Sequence, residues 1–329
     1  MSETRKTRTP SADEAKKASH ATQDNASRAG FVSLIGAPNA GKSTLMNTLV
    51  GSKVSIVTPK VQTTRSRIRG IAMAGHSQIV FVDTPGIFTP KRRLDRAMVH
   101  AAWKGADDSD LVVLVHDCGR SRLDAESARI LESLAKNKTD GKAGNRPVAL
   151  VLNKIDLAPP ERLLERAKLM NEAFSFDKVF MISAEKAHGT SDFLGWLARM
   201  MPAGPYLFDP DDLSDLPQRL LAAEVLREKL FLNLHQELPY QLTVETESWQ
   251  ERDDGSAELR CSIFVAREGH RGIILGKGGR TLGRIGAAAR HELETMLGRR
   301  IHLFTHVKYR KDWMDDPARY RDWDLDYNA

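Results

Sequence analysis

The chain has 329 residues, of which 41% are hydrophobic and 28% charged, and its formal net charge is +6. That length suggests about two domains, and no apolar run nears the roughly 20 residues that a membrane-spanning helix needs. The basic surplus favours anionic partners such as nucleic acid or nucleotide phosphates, although charge alone does not separate these from an ordinary soluble surface.

Residues 1–28 are polar and rich in Lys, Ser, Thr and Ala, with no hydrophobic periodicity, and read as a disordered tail. Glu3, Asp13, Glu14 and Asp24 argue against a transit peptide. Order is expected from Phe31, where a short apolar strand runs to Ile35, followed by a helix over Lys42–Val50. Further strands are predicted at Ile79–Val82, Leu111–His116, Val148–Leu152 and Val179–Ile182. Helices are predicted at Leu94–Gly105, Asp124–Lys136, Pro160–Phe174 and Asp192–Met200. Strands alternating with helices imply an α/β domain with a mostly parallel sheet and flanking helices, placed at residues 29–201. Residues 202–217 hold Pro202, Gly204, Pro205, Pro210 and Pro217 and read as a linker. A different element order follows over 218–315: helix, two strands, short helix, glycine loop, helix near Thr281–Leu297 and strand near Ile301–Tyr309. This second unit is α+β, and residues 316–329 read as a C-terminal tail. Cys118 and Cys261 sit in apolar strand-like runs without metal-ligand spacing, as core residues in a reducing cytosol.

Gly36-Ala37-Pro38-Asn39-Ala40-Gly41-Lys42-Ser43-Thr44 follows the first strand and opens the first helix. It fits the phosphate loop G-x-x-x-x-G-K-[ST], in which backbone N–H groups and a helix N-terminus meet phosphate oxygens. Lys42 supplies a mobile cation to the β- and γ-phosphates, and the Ser43 hydroxyl is placed for Mg²⁺. Asp83-Thr84-Pro85-Gly86 ends the strand Ile79–Val82. There Asp83 can reach Mg²⁺, directly or through water, and Gly86 can offer its N–H to the γ-phosphate.

Asn153-Lys154-Ile155-Asp156 follows the strand Val148–Leu152. The N1–H and N2 amine of guanine are adjacent donors that one carboxylate, Asp156, accepts together; adenine offers no such pair. The Lys154 stem can cover the base and Asn153 would brace the loop. Backbone N–H groups of Ser183 and Ala184, after the next strand, could meet guanine O6. Each motif follows a strand, where an open α/β sheet builds its ligand site.

With these motifs in this order, residues 30–200 resemble the translation-factor-related GTPases, and the resemblance implies GTP and Mg²⁺ binding. Ile87 stands where Ras-like proteins have a water-orienting glutamine, so another group must position the nucleophile or hydrolysis is slow. In Gln62-Thr63-Thr64-Arg65, Thr64, with Thr63 second, would close over the γ-phosphate and complete the Mg²⁺ shell. In related GTPases an asparagine at the position of Asn39 is associated with bound K⁺; Arg65 and Arg67 are alternative charge donors. The resemblance thus assigns catalysis to Asn39, Lys42, Thr64 and Gly86, and Mg²⁺ to Ser43, Thr64 and Asp83.

In the second unit, Gly276-Lys277-Gly278-Gly279-Arg280 joins two helical stretches. Glycines beside a helix N-terminus let a sugar-phosphate backbone approach, and Lys277 and Arg280 add charge. With the element order, this is the arrangement of a type II K-homology (KH) domain, which clamps about four nucleotides of single strand. Base reading would fall to apolar groove positions near Ile274 and to the adjacent strand. A GTPase joined to such a domain resembles the Era-like family of bacterial ribosome-assembly GTPases over residues 30–315. Pro38-Asn39, Gln62-Thr63-Thr64-Arg65, Glu237-Leu238-Pro239-Tyr240 and Val307-Lys308 followed by Asp312-Trp313 support the resemblance. Ala40 stands where that family commonly has valine. The resemblance implies a cytoplasmic, monomeric GTPase that binds small-subunit rRNA near its 3′ end. It further implies a role in 30S subunit maturation and peripheral association with the inner membrane face; the basic stretch 299–310 reads equally as a contact to RNA or anionic lipid and as a solvated surface strand. Two other readings differ in class: an RNA-binding module with a structural nucleotide site, and a tRNA-modification GTPase, which the KH unit argues against.

Overall fold

A computed structural model describes residues 27–141 and 145–329; of the expected tail at 1–28, residues 1–26 lie outside them. The first domain is a six-stranded sheet in the order β2-β3-β1-β4-β5-β6. Its strands are β1 (Arg28–Ile35), β2 (Ile68–Ala74), β3 (Ser77–Asp83), β4 (Leu111–Asp117), β5 (Val148–Asn153) and β6 (Lys178–Ile182). The helices α1 (Lys42–Val50), α2 (Arg93–Asp107), α3 (Ala125–Thr139), α4 (Pro160–Ala173) and α5 (Thr190–Met200) cover both faces. Burial along every residue of β3 and β5 follows from that double cover, which is why these strands read as unbroken apolar runs.

β2 was not among the predicted strands. It pairs antiparallel with β3 from Ile68↔Asp83 to Ala74↔Ser77 and forms the sheet edge. Gly70 interrupts its apolar pattern for a packing reason: a Cβ there would lie 2.9–3.0 Å from Val50 and Met46 of α1. β1 also begins before Phe31, because Arg28 pairs with Ser77 and its side chain donates to the Met201 carbonyl (2.9 Å).

The segment expected as a linker is bound to the edge of this sheet. Gln78 Oε1 accepts from the N–H groups of Leu207 (2.7 Å) and Phe208 (3.0 Å), and Ile71 N–H donates to Leu213 (2.9 Å). The second domain follows the order α6 (Gln218–Asn233), β7 (Leu242–Glu251), β8 (Ala257–Val265), α7 (Glu268–Leu275), α8 (Arg280–Leu297), β9 (Ile301–Tyr309). β7 and β8 are antiparallel, β8 and β9 parallel, and the helices cover one face.

Residues 316–329 are not a loose tail. They form α9 (Pro317–Asp322) and a following turn, and they fold back onto α2. Tyr320 and Leu325 bury the apolar face Leu94–Ala97–Met98–Ala101, and Arg93 lies 4.4 Å from the centre of the Tyr327 ring. Trp313 is fully buried, which makes its role packing.

Candidate functional site

The phosphate loop runs from the C-terminal end of β1 to the start of α1, and three positive φ angles shape it: Gly36 (153°), Asn39 (64°) and Gly41 (93°). A Cβ on Gly36 would lie 2.3 Å from the Val115 carbonyl oxygen, and one on Gly41 2.3 Å from Asn153 Nδ2. The glycines are therefore required by close approach as well as by φ. Gly86 packs against the loop so closely that a Cβ would stand 2.9 Å from the Pro38 backbone. Ala40 is buried in the core, and its carbonyl accepts from Asn153 Nδ2 (2.9 Å).

Lys42 is buried, and its Nζ donates to the carbonyls of Gly36 and Ala37 (3.2 Å each), which holds the cation over the loop. Burial pushes its pKa down to about 8, and the Asp83 charge opposes that shift. Asp83 is fully buried at the end of β3. Its Oδ2 accepts from Ser43 Oγ (2.6 Å), Ser55 Oγ (2.9 Å) and Thr64 Oγ1 (3.4 Å). Ser43 and Thr64 hydroxyls are 3.1 Å apart. Burial raises the Asp83 carboxyl above the usual range, while Lys42 and these hydroxyls pull it back. Asp83 Oδ1 is buried without a partner among the described residues. An orphaned carboxylate oxygen beside two hydroxyls is an all-oxygen donor set of the kind that suits Mg²⁺. Thr64 is the threonine brought here; Thr63 turns to Thr58 Oγ1 (2.6 Å) and the Lys60 carbonyl (2.7 Å).

Several motif residues serve the scaffold. Thr84 Oγ1 donates to the Leu34 carbonyl (2.8 Å), and Pro85 is buried. Ile87 N–H donates to the Gly36 carbonyl (3.0 Å), and its side chain packs in the core beside Ile35 and Ala102. Neither alternative charge donor faces the loop. Arg65 is buried against Phe231 and Trp313 and donates to the Leu242 carbonyl (2.8 Å). Arg67 is paired with Asp324 and Asp108.

At the base end, Asn153 braces both sides: Nδ2 reaches Ala40, and Oδ1 accepts from Ala184 N–H (3.0 Å). Lys154 has a left-handed backbone (φ 61°), and its Nζ donates to the Asn39 carbonyl and Asp117 Oδ2, both at 2.8 Å. Asp156 Oδ1 accepts from Ser183 Oγ (2.6 Å), and Lys186 lies 3.4 Å from Oδ2. The Ser183 hydrogen bond holds that carboxyl below its usual range. The expected use of the Ser183 and Ala184 N–H groups differs here. Ser183 N–H donates to the His188 carbonyl (3.1 Å) and Ala184 N–H to Asn153, because the turn after β6 closes on itself. Ser183 acts by its hydroxyl, and Glu185 is the residue of this turn that lines the cavity. That cavity, about 320 Å³, runs over Asn39, Lys42–Thr44, Thr64, Gly86 and Lys154.

In the second domain Gly276, Gly278 and Gly279 all have positive φ (68°, 60° and 75°) between α7 and α8. A Cβ on Gly276 would collide with Thr281 Oγ1 at 2.1 Å, whereas one on Gly278 or Gly279 would meet nothing. The latter two keep the surface open to a ligand, with Lys277 and Arg280 exposed beside them. Ile274, expected near the bases, is fully buried in the core because it faces inward on α7; Ile273 is 60% exposed. Ile273 and Thr281 line a cavity of about 490 Å³ whose other wall is the loop Asn233–Leu238. That wall and the side chains reaching loop 54–65 from α6 were missed by sequence reasoning. The one signal was a charged triplet, Arg227-Glu228-Lys229, between the apolar residues Val225-Leu226 and Leu230-Phe231 of α6.

A family model described as a 50S ribosome-binding GTPase matches residues 31–154, and a KH-domain model matches 237–314. The chain is 53% identical over 300 residues to GTPase Era of Dinoroseobacter shibae, covering 91% of this chain and 96% of that one. It is 54% identical over 305 residues to GTPase Era of Afipia carboxidovorans, covering 93% and 96%. Two solved structures superpose with a TM-score of 0.83 at 34% identity, covering 90% of this chain and 98% of theirs. One is an Aquifex aeolicus Era variant bound to GDP·AlF4⁻; the other is Era in complex with MgGDPNP and nucleotides 1506–1542 of 16S ribosomal RNA.

Proposed function

The chain belongs to the Era family of GTPases, and from that premise we propose that it hydrolyses GTP slowly and binds the 3′ region of 16S rRNA during 30S subunit assembly. The observation that carries the first half is the convergence of Ser43, Thr64 and Asp83 beside the buried Lys42. In this reading Ser43 and Thr64 would hold Mg²⁺, with Asp83 behind them, and the ion would supply positive charge to neutralise what develops on the phosphates. Lys42 meets the same phosphates, Gly86 N–H faces the γ-phosphate, Lys154 covers the base, and Asp156 reads guanine. With Ile87 in the core, no glutamine-like group stands after Gly86, which supports a slow intrinsic rate.

We also assign K⁺ to the neighbourhood of Asn39. Its amide meets the Pro59 carbonyl (2.9 Å), so a side-chain amide and a loop carbonyl lie side by side over the phosphate loop. Arg65 and Arg67 are engaged elsewhere, which leaves the transition-state charge to such a cation. GTP turnover is expected to be several-fold faster in K⁺ than in Na⁺; equal rates would remove the assignment.

The RNA half rests on the open glycines 278 and 279 and the cavity beside them. Binding of a fluorescent 16S 3′-end RNA should be tightest with a GTP analogue, and weaker with GDP or without nucleotide. Doubly substituted Gly278→Asp, Gly279→Asp protein should lose at least tenfold in RNA affinity, since it forces Cβ atoms onto positive φ and sets negative charge against phosphate. Unchanged RNA binding by that variant would place the RNA elsewhere. The proposal includes a monomeric chain in the cytoplasm with peripheral contact to the inner membrane face. The basic stretch 299–310 and two buried, unpaired cysteines support it, and no described helix is long and apolar enough to cross a membrane.

A further inference from the structure

The loop 54–65 that presents Thr64 is held from both domains: Asn47, Asn39 and Asp83 bind it from its own side, and α6 binds it from the other. Val57 N–H donates to Glu228 Oε1 (2.8 Å), and Arg227 donates to the Thr63 carbonyl. Lys60 Nζ donates to the carbonyls of Phe231 and Leu234, the latter at 2.8 Å. Glu228 is 2% exposed and also accepts from Lys53 (2.7 Å), which in turn pairs with Glu292 of α8. Lys60 thus sits at the C-terminal end of α6, where helix carbonyls lack intrahelical partners and a cation is favoured. The chain leaving that end is the wall Asn233–Leu238 of the cavity beside the glycine loop.

We propose that α6 of the KH half is a positioning element for GTP hydrolysis. Glu228, Arg227 and Lys60 hold loop 54–65 in the form that delivers Thr64 to Ser43 and Asp83, and Lys60 ties that loop to the wall of the RNA cavity. This deepens, and rests on, the GTPase reading above. Neither Lys60 nor Glu228 lines the cavity over the phosphate loop, so they act through Thr64. Their loss should affect the step that needs the γ-phosphate and spare GDP. RNA that shifts the 233–238 wall shifts Lys60, and through it Thr64. By linkage the coupling is reciprocal at the level of binding.

The test uses the full-length protein with the substitutions Lys60→Met, Lys60→Arg and Glu228→Gln. GTP turnover is measured with and without the synthetic 16S 1506–1542 RNA, alongside GDP affinity and RNA affinity. Lys60→Met is expected to lower kcat about tenfold, with GDP affinity within twofold of the parent protein and no response of kcat to bound RNA. Lys60→Arg, which keeps the charge and its donors, should restore most of the rate. Lys60 is partly exposed, so its variants inform even if Glu228→Gln does not fold. The inference is overturned if kcat of Lys60→Met stays within twofold of the parent, or if GDP affinity falls in step with kcat. RNA that binds the parent without changing its rate overturns the link to the cavity. A parent protein that binds GTP but does not turn it over defeats the GTPase reading itself, a separate and visible failure.

Discussion

Replacing Asp156 with asparagine is expected to weaken GTP binding by roughly a hundredfold to several ten-thousandfold and to raise affinity for xanthosine triphosphate. In the proposed role the carboxylate accepts two guanine donors, each bond to a charged group contributing about 1.5–3 kcal/mol, and about 1.4 kcal/mol is a factor of ten. Ser183 Oγ at 2.6 Å holds one carboxylate oxygen in place, and Lys186 steadies the other. An asparagine can keep the Ser183 bond through Oδ1, which turns its amide N–H₂ toward the base. Against guanine that sets donor against donor; against the C2 carbonyl of xanthine it makes a bond. Displacement of a fluorescent GDP by GTP and by xanthosine triphosphate measures both changes in one titration. Unaltered preference for GTP would mean that the base lies away from Asp156.

Asp83→Asn should lower kcat for GTP by about 10²–10³, the effect of removing roughly 2.7–4 kcal/mol of transition-state charge stabilisation. Asp83 Oδ2 gathers the hydroxyls of Ser43, Ser55 and Thr64, while Oδ1 is buried without a partner among the described residues. An amide there puts an N–H₂ group where a cation is wanted, or turns it into the three hydroxyls. Either way Mg²⁺ loses the negative charge that draws it in. The same residue gives turnover a pH dependence with a defined sign. Burial raises the Asp83 carboxyl, so the acid form persists above the ordinary carboxylate range, and Mg²⁺ must displace a proton as pH falls. The Mg²⁺ concentration for half-maximal turnover should therefore rise as pH is lowered toward that range in the parent protein. It should respond less in Asp83→Asn. A variant with parental kcat and parental Mg²⁺ requirement would show that Asp83 does not support the ion.

Much of the site could be read locally. Gly36–Thr44, Asp83–Gly86 and Asn153–Asp156 each follow a mostly buried strand, Ser183–Ala184 follows the half-exposed edge strand β6, and the sheet places those strand ends together. The helix α1 was predicted at its observed bounds, and the KH element order was legible from periodicity and the glycine loop. β2 escaped because Gly70 breaks its pattern to make room for Met46 and Val50, a demand set by α1 about twenty residues earlier. Thr64 over Thr63 was favoured from sequence, but two adjacent threonines differ only in which way the loop turns them.

The sequence by itself determined what is encoded within a few residues: the phosphate loop, the turn that carries Asp156, the glycine turn between two helices, and the pairing of two domain types. Backbone geometry near a glycine or a helix start depends on neighbours in the chain, so such signals survive without a fold. Tertiary structure alone decided that residues 202–217 bind the β2–β3 edge and that residues 316–329 cover α2. It also decided that loop 54–65 is held by Glu228, Arg227 and the end of α6, some 170 residues away. A buried charge is tolerated only where its partner arrives, and Glu228, besides the neighbouring Lys229, found two partners, Lys53 and the Val57 N–H, in the other domain.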